Sequence, residues 1–330
     1  MIARTDAPAI RAGSARATAR ALVPRRRVLD VAGWSLSALA FFLLGGAMIW
    51  ILSMVFLRGF GALSLKTLTH ITTGFGGGLL NAIEGTMVLA ACAVLLAVPP
   101  GLAAGIYLSL FDAGYLAPAI RFMADVLAGV PSIVIGYFGY VTMVVILGWR
   151  FSVAAGSIAL AIIALPYICR TSEMAIRQVP RELREAAYAM GAGDGRVALG
   201  ICVRMALPGI ITGVLLAFAI SVGETAPLLY TAGWSNYLWT GHFTKEPIGY
   251  LTYAIWAFIT QPFSGAHALA YAAALFVTLF VLAISVLSRM VLDGNGSGRK
   301  RFGGRLLFIT AFYTKLMGRA KAARRCVRSG

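Results

Sequence analysis

Six apolar runs, each of membrane-crossing length, limit what this chain can fold into more than any other feature. A helix needs roughly 20 apolar residues to cross the ~30 Å hydrocarbon layer. Runs of that order fall at about 31–57, 83–110, 126–147, 153–169, 208–231 and 268–288. Composition agrees: 59% of residues are hydrophobic, 12% are charged and the mean hydropathy is +0.83, beyond the range of soluble domains. Backbone groups in lipid must be satisfied within their own segment. The expected fold class is therefore all-α, a polytopic membrane protein with six transmembrane helices. A further apolar stretch, Leu251–Ile259, closes at Gln261-Pro262 and is too short to cross. It is expected as an interfacial or re-entrant helix.

Lys and Arg accumulate in cytoplasmic loops. With six spans and the N-terminus inside, the outer loops hold only Arg58, Lys66, Arg150 and Lys245 of the 29 basic residues. Both termini are thus expected in the cytoplasm. The net charge of +17 then faces anionic headgroups, which attract each basic residue by about 1 kcal/mol. Membrane lipids, not nucleic acid, are the expected partner of these charges. Residues 1–30 read as a basic tail, 31–293 as the six-span domain and 294–330 as a second basic tail. The apolar run after residue 30 is too long for the core of a signal peptide, so it is expected to remain as span one.

Thr69–Asn81, with Gly74 and Gly76-Gly77-Gly78, is expected to be a flexible outer loop, and Gly294–Gly298 a linker. The linker lacks the Gly-Lys-Ser/Thr ending of a phosphate loop. Residues 305–325 mix Leu306, Leu307, Phe308, Phe312 and Leu316 with basic residues. A surface-lying amphipathic helix and a disordered tail both fit that pattern. Cys92, Cys169, Cys202 and Cys326 have no metal-like spacing and read as packing residues. His70, His242 and His267 are likewise unpaired in spacing, and no catalytic constellation is present. Neither a cofactor nor enzymatic chemistry is expected.

Between the fourth and fifth runs lies a polar segment, 173–206. Pro180 suits a first helical turn, and Glu182 and Glu185 follow at the positive end of the helix dipole. Gly191 and Gly193 then stop the helix, and Asp194 is placed to cap the next one. Leu183, Ala187 and Met190 are expected on one face, with Ala186 and Ala187 keeping the profile thin enough for a groove. An ordinary loop helix held by Glu–Arg pairs is the plainer alternative.

Glu185-Ala186-Ala187, then Gly191, then Ile201, resembles the EAA loop of binding-protein-dependent ABC importer permeases. Further strings resemble the phosphate-specific, PstA-type branch of that family. They are Ala104–Leu108, Pro131–Val134, Arg170–Glu173, Leu183–Ala189, Gly209–Gly213 and Gly223–Leu229, in family order over about 30–293. The Gly-Glu-Thr-Ala-Pro-Leu-Leu string is the most specific of them. Leu207-Pro208 falls later than the general pattern has it, as in the phosphate branch. The resemblance implies a type I importer permease of MetI-like architecture, with Glu185, Ala186, Ala187 and Gly191 coupling it to an ATPase. It also implies a PstC-type second permease, a PstB-type ATPase dimer and a PstS-type extracytoplasmic phosphate-binding protein. ATP hydrolysis would belong to the separate ATPase chain.

A carboxylate at mid-membrane costs at least ~2.5–3.5 kcal/mol on insertion scales, so Glu224, placed within the fifth run, is the leading functional candidate. A packing role across a subunit interface is the alternative. Arg170 and Glu173 are spaced to pair on one helix face, and Glu173 also reaches Arg177. The resemblance implies a translocation role for Arg170, Glu173, Glu224 and Thr225, while Arg170 also reads as a simple positive-inside anchor. Many phosphate permeases carry an Arg one turn before the Glu224 position, where this chain has Ile220. Transport of another anion or small solute therefore stays open, and so does a secondary transporter or channel.

Overall fold

The computed structural model describes residues 9–111 and 114–293. The linker expected at 294–298, the tail at 305–325 and Cys326 lie outside them. The described residues before Arg58 form one unit and those from Arg58 onward a second. The first unit is a single helix, α1 (Ala9–Ala62), which continues into the second. Its apolar part, Asp30–Ala62, is long enough to cross a membrane. The helix already begins at Ala9, so the expected boundary at residue 30 is a change of composition and not of backbone.

The second unit starts with α2 (Leu65–Thr69), where the Ser64 hydroxyl accepts the Thr67 N–H at 3.3 Å. A two-stranded hairpin follows, β1 (Thr72–Thr73) on β2 (Gly76–Gly77). This corrects the expectation of a flexible loop. Thr72 is buried, and its N–H and hydroxyl both donate to Asn81 Oδ1, at 3.0 and 2.9 Å. Asn81 in turn donates to the Ser235 carbonyl at 2.8 Å. Glycine content signalled a turn here, and buried polar bonds fix it.

Among the described residues, five helices are long and apolar enough to span, or six if a bent pair counts as one. In the second unit they are α3 (Leu80–Leu110), α6 (Val153–Arg177), α8 (Arg196–Gly223) and α11 (Ser264–Asp293). The bent pair is α4 (Leu116–Gly129) and α5 (Ser132–Ile146), which meet at 96°. The single span expected at 126–147 is therefore two helices. Pro131 lacks an N–H and holds its neighbour out of the helical region, so the chain turns there; Val130 is extended, with ψ 127. The run expected at 208–231 is also divided. It belongs to α8, which starts earlier and stops at Gly223, and to the short α9 (Ala226–Thr231). Short helices α7 (Arg181–Ala189) and α10 (Leu251–Ile259) complete the unit. The latter has the expected bounds and buries Leu251, Ala254 and Phe258 against Leu79, Ala266 and Ala270.

The core forms where α3 and α6 cross: Leu89, Ala93 and Ala97 meet Leu160, Ala164 and Ile168. Small residues permit this approach, as is usual between helices in membranes. A Cβ on Gly105 would lie 2.6 Å from Ser172 Cβ, closer than packed atoms tolerate. Pro99, Pro100 and Pro166 lie inside continuous helices. Cys169 and Cys202 are buried and Cys92 half-buried, all three free, as packing residues are.

Candidate functional site

Helix α7 begins after Pro180 and ends in a turn that glycine makes possible. Gly191 has φ +82°, a region where a Cβ is strained. The Gly191 N–H reaches the Tyr188 carbonyl at 2.9 Å, and the Ala192 N–H reaches that of Ala187 at 3.1 Å, satisfying carbonyls the helix end would orphan. Ala187 is buried against Ile176 and Val179 at the end of α6 and Val197, Cys202 and Ala206 in α8. This divides the face expected from Leu183, Ala187 and Met190. Ala187 seats α7 on its own bundle, while Leu183 is exposed and Met190, at the helix end, is 83% exposed. Glu185 and Ala186 are also exposed. Asp194 lies inside the first turn of the next helix instead of capping it; the Gly193 carbonyl accepts from Arg196 and Val197 there. The Asp194 carboxylate accepts the Tyr188 hydroxyl. Desolvation and that carboxylate together hold the phenol above its ordinary value.

Arg170 and Glu173 come together as the sequence spacing predicts, within a larger ion network. Glu173 is 5% exposed. It is 3.4 Å from Arg170, 3.1 Å from Arg177 and 3.1 Å from Arg121, the last reaching over from α4. Arg121 and Arg177 also donate to the Leu108 carbonyl at 3.2 and 3.1 Å, near the negative end of α3. Arg170 pairs in addition with Asp125 of α4. Sequence reasoning missed Arg121 and Asp125 as members. Their signal was two charges four residues apart beside an apolar stretch.

Glu224 is not inside a helix. It is the extended residue after α8, with φ −74° and ψ 135°, and Thr225 opens α9. The Thr252 hydroxyl of α10 donates to its carbonyl at 2.9 Å, so α10 holds the break. Glu224 shares a cavity with Ser132, the first residue after the bend at Pro131. A cavity of about 180 Å³ opens here, lined by Glu224, Ser132, Leu127, Ala128, Ile163 and Tyr167 among others. Two interruptions, one before α5 and one before α9, thus meet at one carboxylate. Interrupted helices at membrane depth are tolerated where the backbone is buried in protein or lines a cavity. Ile220 is half-buried beside Ile135 and Ile163, so an apolar side chain stands where the resemblance led us to look for a base. Glu185, Ala186 and Ala187 on α7, and Gly191 just past its end, do not line this cavity. No group of His, Cys, Asp and Glu suited to a metal occurs among the described residues.

A spanning bundle with a polar loop helix and a carboxylate at broken helices defines a class of protein, the membrane components of solute transporters. Residues 101–293 match the family of binding-protein-dependent transport system inner membrane components, and the chain belongs to it. Among its relatives is the phosphate transport system permease protein PstA 2 of Mycobacterium bovis, 41% identical over 283 residues, 86% of this chain and 93% of that one. The phosphate transport system permease protein PstA of Yersinia pestis is 42% identical over 248 residues, covering 74% and 83%. The fold is shared with a chain of the inward-facing MetNI methionine ABC transporter, at TM-score 0.53 and 20% identity over 64% of this chain and 95% of that one.

Proposed function

We propose that this chain is the PstA-type permease subunit of an ATP-driven importer of inorganic phosphate. The observation that carries the mechanism is the seating of α7: exposed at Glu185 and Ala186, it is packed through Ala187 on both α6 and α8. A push on α7 from an ATPase subunit therefore reaches Arg170 on α6 and Glu224 at the end of α8 through van der Waals contact. Those two helices would carry the alternation between outward and inward access. The substrate assignment rests on the relatives' names. Both termini lie in the cytoplasm in this reading, as the distribution of Arg and Lys favours. The partners are a PstC-type permease, a PstB-type ATPase pair that hydrolyses the ATP, and a PstS-type binding protein delivering phosphate from outside.

The test is phosphate uptake with α7 altered in the assembled transporter. Glu185→Lys reverses a charge on the exposed face, and Gly191→Asp strains the turn at φ +82°. Either is expected to abolish uptake while the chain still accumulates in the membrane. Uptake at the wild-type rate in both would remove the coupling role. The relatives' names favour phosphate over another anion although Ile220 stands where a base was looked for. The anion that stimulates ATP hydrolysis by the purified complex decides between them.

A further inference from the structure

The two carboxylates that flank Arg170 are unlike each other. Glu173 is 5% exposed and is held by Arg121, Arg170 and Arg177. The Asp125 side chain is 65% exposed and pairs with the same Arg170. Buried, multiply bonded ion pairs are hard to open, whereas exposed ones are weak. Arg170 therefore has one fixed partner and one replaceable partner.

The replaceable side adjoins the Glu224 cavity. Ala128 and Tyr167 both line it; Asp125 lies three residues before Ala128, and Arg170 three residues after Tyr167. Residues three apart share a helix face and differ by ~4.5 Å in rise. The Asp125–Arg170 pair thus sits about one turn from the cavity on two of the helices that wall it, α4 and α6. A guanidinium presents its N–H fork equally well to a carboxylate and to a tetrahedral oxyanion.

We propose that Asp125 is the displaceable counter-ion of an oxyanion subsite on Arg170, holding the guanidinium until the transported anion takes its place. Glu173 keeps Arg170 in position when Asp125 leaves. After the anion departs, Asp125 returns and blocks its rebinding. Asp125 is then a residue that sets affinity and release, and this inference rests on the importer reading given above.

The experiment uses the assembled permease–ATPase complex in lipid nanodiscs, without the binding protein, and measures equilibrium binding of radiolabelled phosphate and sulfate. Phosphate uptake into proteoliposomes is measured in parallel. Removing a competitor that occupies Arg170 most of the time raises apparent affinity by the inverse of the free fraction, about fivefold for an exposed pair. Asp125→Asn is expected to show that gain, Asp125→Glu to return to wild-type affinity, and Arg170→Gln to lose binding in either background. Asp125→Asn binding equal to or weaker than wild type, in a complex that imports phosphate, overturns the counter-ion and leaves the importer reading standing. Tightening for sulfate in a complex that does not import phosphate does the reverse. A merely structural role for Asp125 predicts weakening, with no rescue by Glu.

Discussion

Glu173 and Glu224 are two carboxylates of the same bundle, and their surroundings differ in kind. Glu173 is saturated: three guanidiniums from α4 and α6 converge on it, and two of them also bond the end of α3. Glu224 faces an open cavity that it lines together with Ser132. A carboxylate whose acceptor sites are filled by protein holds helices together, while one that faces a cavity has capacity left for water, a proton or a solute. The separation follows from the backbone. Glu173 stands on an unbroken helix where neighbours three and four residues away reach it, whereas Glu224 stands at a break and has no such neighbours.

Removing the two charges therefore has opposite signatures. Glu173→Gln leaves three guanidiniums facing a neutral group, and breaking a buried network by one partner costs ~3–5 kcal/mol. The lower end is expected, because the Arg side chains are 28–46% exposed. The thermal midpoint of the purified complex should fall by several degrees, with less protein in the membrane. An unchanged melt would mean that Glu173 is no clamp. Glu224→Gln should leave the melt in place and lower phosphate uptake at least about tenfold, equivalent to ~1.4 kcal/mol in a barrier. The comparison breaks if Glu224→Gln melts the complex as Glu173→Gln does.

Much of this was legible in the sequence, for local reasons. Pro180 and Gly191 delimit α7 because each acts through its own backbone, and the Arg170–Glu173–Arg177 spacing pairs along one helix. The short helix at Leu251–Ile259 was legible by length. What escaped were breaks within apolar runs and charges brought in from elsewhere. An apolar run reports solvent, not straightness, so 126–147 gave no sign of the 96° bend beyond Pro131. Glu224 read as mid-helix for the same reason, although Gly223 before it and Pro227 after it mark a helix end. Arg121 and Asp125 join the network because α4 lies along α6, a tertiary fact that spacing does not carry. The face of α7 was misread similarly: Ala187 is buried by the bundle and not reserved for a partner.

The smallest effect is also the finest probe. Ser132 lines the Glu224 cavity from the first turn after the bend, and a hydrogen bond from its hydroxyl to the carboxylate would contribute ~1.5–3 kcal/mol at most, less when water can replace it. Water can reach this cavity, so Ser132→Ala should lower uptake only about threefold, while Ser132→Thr restores it. The melt should not move. A loss as deep as that of Glu224→Gln would place the hydroxyl on the solute itself, and the cavity would then be a two-residue binding site. No loss at all would mean that α5 does not orient the carboxylate, and that the contact between the two broken helices has no part in transport. Initial rates in proteoliposomes separate these outcomes, because the complex stays folded in each.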